Sequence, residues 1–195
     1  MSVSRECITE GVVLARANAG EGSARVVLYT KVLGLVTAVA KSAREERSQL
    51  RAHLLPGSSG TFRLVKGRDL WRIAGASGTT DAYFSLSGKA RLQKTVARVV
   101  AGVRQFVHGE GADESLFNSL SRFLSSLSAM PDEYAPEAEC IAVVQLLSAL
   151  GYVKPDARLE SVVRDSYEPE ALARAREKRA VIVRAINEAI HASGL

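Results

Sequence analysis

The hydrophobic pattern of this chain changes its period near residue 80. Before that point, short apolar runs rich in β-branched residues alternate with glycine-containing turns, which is typical of strands. After it, apolar residues recur every three or four positions, the period of amphipathic helices. The change predicts two parts of different structural class, a β-rich part at residues 1–80 and a helical part at residues 81–195.

The first part predicts five short strands joined by tight turns. Residues 18–22 and 67–69 contain the glycines of two such turns. Five strands in so short a segment favour a small barrel over a helical fold. The predicted strands are Cys7–Arg16, Arg25–Lys31, Leu35–Ala40, Thr61–Lys66 and Leu70–Ala76.

The second part predicts a helical bundle. Apolar residues from 92 to 107 fall on one helix face, and Asp113 is placed to cap the next helix. Pro136 suits the first turn of a third helix, which is apolar nearly all round and ends before Gly151. We expect that helix at the centre of the bundle. A last long helix is predicted to begin at Pro169, charged at first and then apolar.

No sequence motif indicates catalysis. The chain has no P-loop, no dinucleotide-binding glycine pattern, no nucleophile elbow and no zinc-protease motif. The two cysteines, Cys7 and Cys140, lie far apart and far from a partner histidine, so neither a disulfide framework nor a metal site is expected. No apolar run approaches the roughly 20 residues of a membrane span, and the start lacks a signal peptide's apolar stretch. We expect a cytoplasmic protein that is not an enzyme, with no cofactor, no membrane partner and no small-molecule substrate.

The positive charge is concentrated in the first part. Residues 1–80 carry 12 Lys or Arg and 6 Asp or Glu, whereas residues 81–195 carry 14 and 15. A concentrated positive field attracts polyanions such as nucleic acids. Basic residues also keep a small domain dissolved, so charge alone leaves both interpretations open.

The first part combines basic side chains with aromatic rings, as single-stranded nucleic acid binding requires. Arg44, Arg47 and Arg51 would share one face if their segment is helical. Trp71 and Ile73 point to the same face of their strand, which favours a core position for Trp71; the alternative is an exposed platform on which a base stacks. The candidate DNA-binding residues are Arg25, Lys31, Lys41, Arg44, Arg47, Arg51, Lys66, Arg68, Trp71 and Arg72.

Five segments of the first part follow one another in a characteristic order and spacing. They are Gly11–Leu14, Gly20–Thr30, Leu33–Leu35, Ala38–Arg44 and Leu70–Ile73. In this arrangement they resemble the N-terminal domain of the RecO family of bacterial recombination mediators, and residues 146–155 agree more loosely. The resemblance implies an α+β protein, with a five-stranded OB-fold barrel at residues 1–80 and an all-helical domain at residues 81–195.

The chain departs from that family after Pro155. Many family members continue with a Cys-x-x-Cys pair and a second pair further on, which bind zinc. Residues 156–164 contain no cysteine. We therefore expect a shortened helical domain that holds no zinc.

The resemblance also implies a function. It predicts binding of single- and double-stranded DNA, annealing of complementary strands without nucleotide hydrolysis, and help in loading RecA onto DNA coated with single-stranded DNA-binding protein (SSB). The implied protein partners are a RecR-like protein and the SSB C-terminal tail. An acidic and apolar tail needs an apolar groove rimmed by cations. The candidate rim is Arg174, Arg176, Lys178 and Arg179, for which a solvated helix face is the alternative.

Two other functions remain open. A general single-strand or RNA-binding module would share the basic barrel but would protect strands rather than pair them. A protein–protein adaptor would use the barrel as a scaffold, and reversing the charges of Arg44, Arg47 and Arg51 would then leave DNA affinity unchanged.

Overall fold

A computed structural model describes residues 6–20, 22–41, 50–107, 111–154, 156–157, 159–164 and 166–193. The chain divides into two compact units, residues 1–85 with 107–113 and residues 86–106 with 114–195. The first unit contains the five strands and the second contains the long helices. The predicted α+β class, a five-stranded barrel followed by a helical region, is confirmed.

The first unit is a closed barrel with the strand order β1-β2-β3-β5-β4. Its neighbouring strands are antiparallel except β3 and β5, which run parallel. A closed five-stranded sheet of this kind is the architecture of an OB-fold. The strands are β1 (Glu6–Asn18), β2 (Ala24–Thr30), β3 (Gly34–Ala40), β4 (Ser59–Lys66) and β5 (Trp71–Thr80).

Apolar side chains from all five strands fill the barrel. Leu54, from a 3-10 helix at Ala52–Leu54, is also buried there. Because strand residues alternate between the two faces, every second residue of β2 and β3 points into this core. The core cluster is Val13, Ala24, Val26, Leu28, Val36, Ala38, Ala40, Leu54, Phe62, Leu64 and Ile73.

Residues 111–113 pack against one end of the barrel. The hydroxyl of the buried Tyr29 donates to the carbonyl oxygen of Asp113 and accepts from its amide, both at 3.3 Å. Burial raises the pKa of the Tyr29 hydroxyl, and the backbone hydrogen bond from Asp113 opposes that shift. Gly34 has φ +67°, and a Cβ there would lie 2.7 Å from the carbonyl carbon of Gly111. Glycine is therefore required at position 34 by both backbone conformation and close approach.

Gly34→Ala should destabilise the barrel more than Gly20→Ala does. Both glycines have positive φ, +67° and +70°, but a Cβ at Gly20 meets nothing within 4 Å. We expect a loss of about 1 kcal/mol in the free energy of unfolding for Gly20→Ala. Gly34→Ala should cost about 3 kcal/mol, because the backbone at Gly111 must also move. Urea unfolding measures both losses. Equal losses would show that residues 111–113 do not lie as close to Gly34 as the structure places them.

The second unit is built around one buried helix, α4. Ten of its 15 residues are buried, and it packs against α2, α3, α5, α6 and α7. Pro136 lies in its first turn and Gly151 follows its end, so the predicted central helix is confirmed. The helices are α1 (Ala82–Ser85, in the first unit), α2 (Ala90–Phe106), α3 (Glu114–Ser126), α4 (Ala135–Ala149), α5 (Glu160–Arg164), α6 (Pro169–Glu177) and α7 (Arg179–Ser193), with 3-10 helices at Leu127–Ala129 and Asp132–Tyr134.

The prediction of one long helix from Pro169 is wrong, because the helix breaks at Lys178. The Lys178 amide donates to the carbonyl oxygens of Arg174 and Arg176, which ends α6. Its ammonium donates to Ser161 Oγ at 3.0 Å. The apolar spacing continues across the break, so the sequence carries no periodic signal for it.

Candidate nucleic-acid interface

Two exposed arginines flank β3 on the outside of the barrel. The strand register pairs Arg25 of β2 with Val39 of β3, and Val39 with Arg72 of β5. The neighbouring residues along each strand face the core, so this row faces outward. Two strand spacings, about 10 Å, separate the backbones of Arg25 and Arg72. In the part of the chain that the structure describes, neither guanidinium forms an ion pair.

Further predicted cations lie at the barrel end where β4 turns into β5. Lys66 pairs with Trp71 in the strand register, and its ammonium lies 4.9 Å from the centre of the indole ring. Trp71 is half-buried and packs against the barrel core. A base could stack on the face that Lys66 covers only after Lys66 moves. Arg68, in the loop between these strands, and Lys41, directly after β3, are both exposed.

Two predicted cations are placed differently. Lys31, in the turn between β2 and β3, forms an ion pair with Glu10 at 3.6 Å. Arg51 is exposed beside the 3-10 helix at 52–54, and its carbonyl oxygen accepts a hydrogen bond from Arg16 at 3.3 Å. The remaining two, Arg44 and Arg47, lie outside the described residues.

The second unit carries a groove of about 440 Å³ whose floor is α4 and whose walls are α2 and α7. Three basic residues of α2 line it at spacings of three and four, so they share one helix face. That spacing is visible in the sequence, but these three residues were not among the predicted partner-binding residues. The apolar lining is Ala135, Pro136, Cys140, Val143, Val183 and Ile186, and the basic lining is Arg91, Lys94, Arg98 and Arg179.

One of the groove cations is neutralised within the unit. Arg98 donates to both carboxylate oxygens of Glu139, with Nε 2.6 Å from Oε1. These hydrogen bonds raise the pKa of Arg98 above its ordinary value. Among the described residues, Arg91, Lys94 and Arg179 form no ion pair, so the groove keeps unpaired positive charge on both walls.

Cys140 is part of the groove floor and is not placed for chemistry. The side chain is buried, and burial raises the pKa of its thiol, with the charge of Arg179 acting in the opposite direction. At neutral pH the thiol is therefore protonated and behaves as a small apolar group. No group of three His, Cys, Asp or Glu within the described residues could hold a metal ion, and none of the described helices has the length and hydropathy of a membrane span.

The predicted partner-binding residues have different surroundings. Arg176 Nε donates to Oε1 of the buried Glu137 at 2.8 Å, and its guanidinium lies over the ring of Tyr134. Lys178 donates to Ser161, and Arg174 is half-buried on α6. Of the four, Arg179 is the one that lines the groove. The acidic residues at the start of α4 therefore serve structure, as Glu137 and Glu139 both anchor arginines.

Arg176→Ala should lower the melting temperature of the protein, whereas Arg179→Ala should leave it nearly unchanged. The first substitution leaves the buried carboxylate of Glu137 without its cation, which is costly in a low-dielectric environment. The second removes an exposed charge that is unpaired among the described residues. Thermal unfolding measures both, and Glu137→Gln should restore part of the loss in the Arg176→Ala background. Equal melting temperatures for the two single variants would refute the structural role of Arg176.

Comparisons with known proteins agree with these features. Residues 1–80 match the family model described as "Recombination protein O N terminal". The chain is 31% identical over 116 residues to "DNA repair protein RecO" of Alkaliphilus metalliredigens, covering 60% of this chain and 47% of that protein. It is 34% identical over 121 residues to the same-named protein of Rubrobacter xylanophilus, covering 61% and 47%. It is 29% identical over 153 residues to the same-named protein of Gloeobacter violaceus, covering 78% of this chain and 58% of that protein.

The chain spans about half the length of the curated relatives it matches. The match to the family model covers the strands of the barrel, and the matches to relatives extend into the helical unit. The closed five-stranded barrel occupies the residues that match the family model, and over most of its length the chain is similar to RecO proteins.

Proposed function

We propose that this chain is a DNA-binding recombination mediator that acts in repair. It binds single- and double-stranded DNA, anneals complementary strands, and assists RecA loading onto SSB-coated DNA, without nucleotide hydrolysis. The observation that carries the proposal is the outward row of Arg25 and Arg72, unpaired among the described residues, on a barrel of the OB type. The similarity of the chain to RecO proteins supports the same conclusion.

The proposed mechanism is electrostatic. Arg25 and Arg72 contact phosphates and release the counterions condensed on them, which favours binding. Neutralised strands repel each other less, so complementary strands approach and pair. Lys66 and Arg68, where β4 turns into β5, and Lys41, directly after β3, supply further positive charge for a second strand. No step of this mechanism requires a chemical reaction of the protein.

We also propose that the groove of the second unit binds the SSB C-terminal tail. A tail of acidic and apolar residues matches a groove with an α4 floor of apolar side chains and walls that carry Arg91, Lys94 and Arg179. The RecR-like partner is proposed from the similarity to RecO proteins, and no surface is assigned to it.

Two alternative functions make different predictions. A general single-strand-binding module would protect strands, so it would not accelerate pairing of SSB-coated complementary strands. An adaptor would bind proteins through the groove and would need no DNA contact at Arg25 or Arg72. Annealing rates separate the first alternative from our proposal, and DNA affinities separate the second.

Substituting the arginine row should weaken DNA binding and flatten its salt dependence. Arg25→Gln/Arg72→Gln removes two phosphate contacts. We expect about tenfold weaker binding to a labelled single strand and a salt slope smaller in magnitude by about 1.4, at roughly 0.7 per contact. Fluorescence anisotropy over a salt series measures both, and the annealing rate should fall in parallel.

The matched control is Arg104→Gln/Arg122→Gln, which removes the same charge from exposed positions on α2 and α3. It should bind DNA like the unsubstituted protein. If the two double variants lose affinity equally, net charge rather than the arginine row is responsible. If neither loses affinity, the adaptor alternative is favoured.

Reversing the groove charge should abolish tail binding and spare DNA binding. Arg91→Glu/Lys94→Glu places two carboxylates on the α2 wall. We expect at least about tenfold weaker binding of a labelled peptide with the sequence of a bacterial SSB tail, because like charges then face each other. The control is Arg122→Glu, on α3. Unchanged peptide affinity in the groove variant would contradict the assignment.

A further inference from the structure

Phe84 is the most exposed of the large apolar side chains in the described residues, at 83%. It lies in α1, the single helical turn that follows β5. Two residues before it, Ala82 is buried and anchors the turn. The ring therefore contributes little to the core, although burying a phenylalanine would stabilise the fold by roughly 1.5–3 kcal/mol.

The backbone that carries Phe84 is held in place. Asp81 Oδ1 accepts hydrogen bonds from the amides of Tyr83 at 2.9 Å and Phe84 at 3.3 Å. The carbonyl oxygen of Asp81 accepts from the Ser85 amide at 3.0 Å. An aromatic ring on a fixed turn loses little conformational entropy when it contacts a ligand, because only two side-chain torsions are free.

The segment that carries the exposed Arg51 contacts the same end of β5. His53, in the 3-10 helix at 52–54, is hydrogen-bonded to the hydroxyl of Thr79 near the end of β5. Arg51 directly precedes that helix and is exposed. A cation together with an exposed ring is the combination that binds single-stranded nucleic acid.

β5 connects this end of the barrel to the arginine row. From Arg72 to Thr80 the strand rises about 26 Å. A single strand that follows it contacts both places within the 4–16 or so nucleotides that an OB-fold typically binds.

We propose that Phe84 stacks on an unpaired base of single-stranded DNA whose backbone runs along β5 from Arg72 towards Arg51. The bases of a duplex are already stacked on one another, so the ring has no partner there. Phe84 thus makes the protein prefer single-stranded over double-stranded DNA. The inference rests on the proposed DNA-binding function of the barrel.

The test compares Phe84→Ala on a 20-nucleotide oligothymidylate and on a duplex of equal length. We expect roughly tenfold weaker binding to the single strand, the usual effect of removing one stacking ring. Duplex affinity should stay within twofold. The fold should be retained, since the ring is exposed, and Phe84→Trp should keep single-strand affinity. The matched control is Ile8→Ala, which removes another exposed apolar side chain, 65% exposed, from β1.

A spectroscopic experiment reports stacking directly. The chain contains one tryptophan, Trp71. In Trp71→Phe/Phe84→Trp the only indole is therefore at position 84. Single-stranded DNA should quench its fluorescence, and the duplex should leave it unchanged.

Two results would overturn the inference: single-strand affinity of Phe84→Ala within twofold of the unsubstituted protein, or equal losses on single strand and duplex. Failure of the underlying function is distinguishable from both. If Arg25→Gln/Arg72→Gln binds DNA normally, the proposed function itself fails. If that variant binds weakly and Phe84→Ala binds normally, only the role of Phe84 is refuted.

Discussion

The short parallel pairing of β3 with β5 is the constraint on which the candidate DNA surface depends. It consists of two residue pairs, Ala38 with Trp71 and Val39 with Arg72. This pairing closes the barrel and removes two strand edges that would otherwise expose unpaired backbone groups. It also places Arg72 one strand away from Val39 and two strands away from Arg25. Trp71 supports the pairing, because its ring packs against the core at the same position.

Local patterns explain why much of this architecture could be predicted from the sequence. Period-two runs between glycine turns marked the five strands, and an apolar helix between Pro136 and Gly151 marked the centre of the bundle. The pairing of β3 with β5 could not be predicted in this way, because it joins segments that are distant in the chain. The arginine row was therefore visible only as separate candidates, Arg25 and Arg72, among ten.

The helical unit shows where charge patterns in a sequence mislead. The run from Arg174 to Arg179 contains four cations, but Arg176 neutralises the buried Glu137 and Lys178 hydrogen-bonds to Ser161 at the helix break. Buried carboxylates must be paired, and their partners are then unavailable to a ligand. The spacing of Arg91, Lys94 and Arg98 in the sequence did indicate that they share one helix face. That Arg179 lies across the same groove depends on how α7 packs on α4, which no local pattern encodes.

Pairing, rather than the number of charges, decides which cations can bind a polyanion. Residues 81–195 are almost neutral, with 14 basic and 15 acidic residues, yet their groove presents Arg91, Lys94 and Arg179 unpaired among the described residues. In the barrel, Arg25 and Arg72 are likewise exposed and unpaired among the described residues. If the groove holds the tail of an SSB protein, the single strand that this SSB coats stays near the barrel at a high effective concentration, because both sites belong to one chain. Two weak, salt-sensitive contacts can in this way strengthen the overall binding, although neither site changes the conformation of the other.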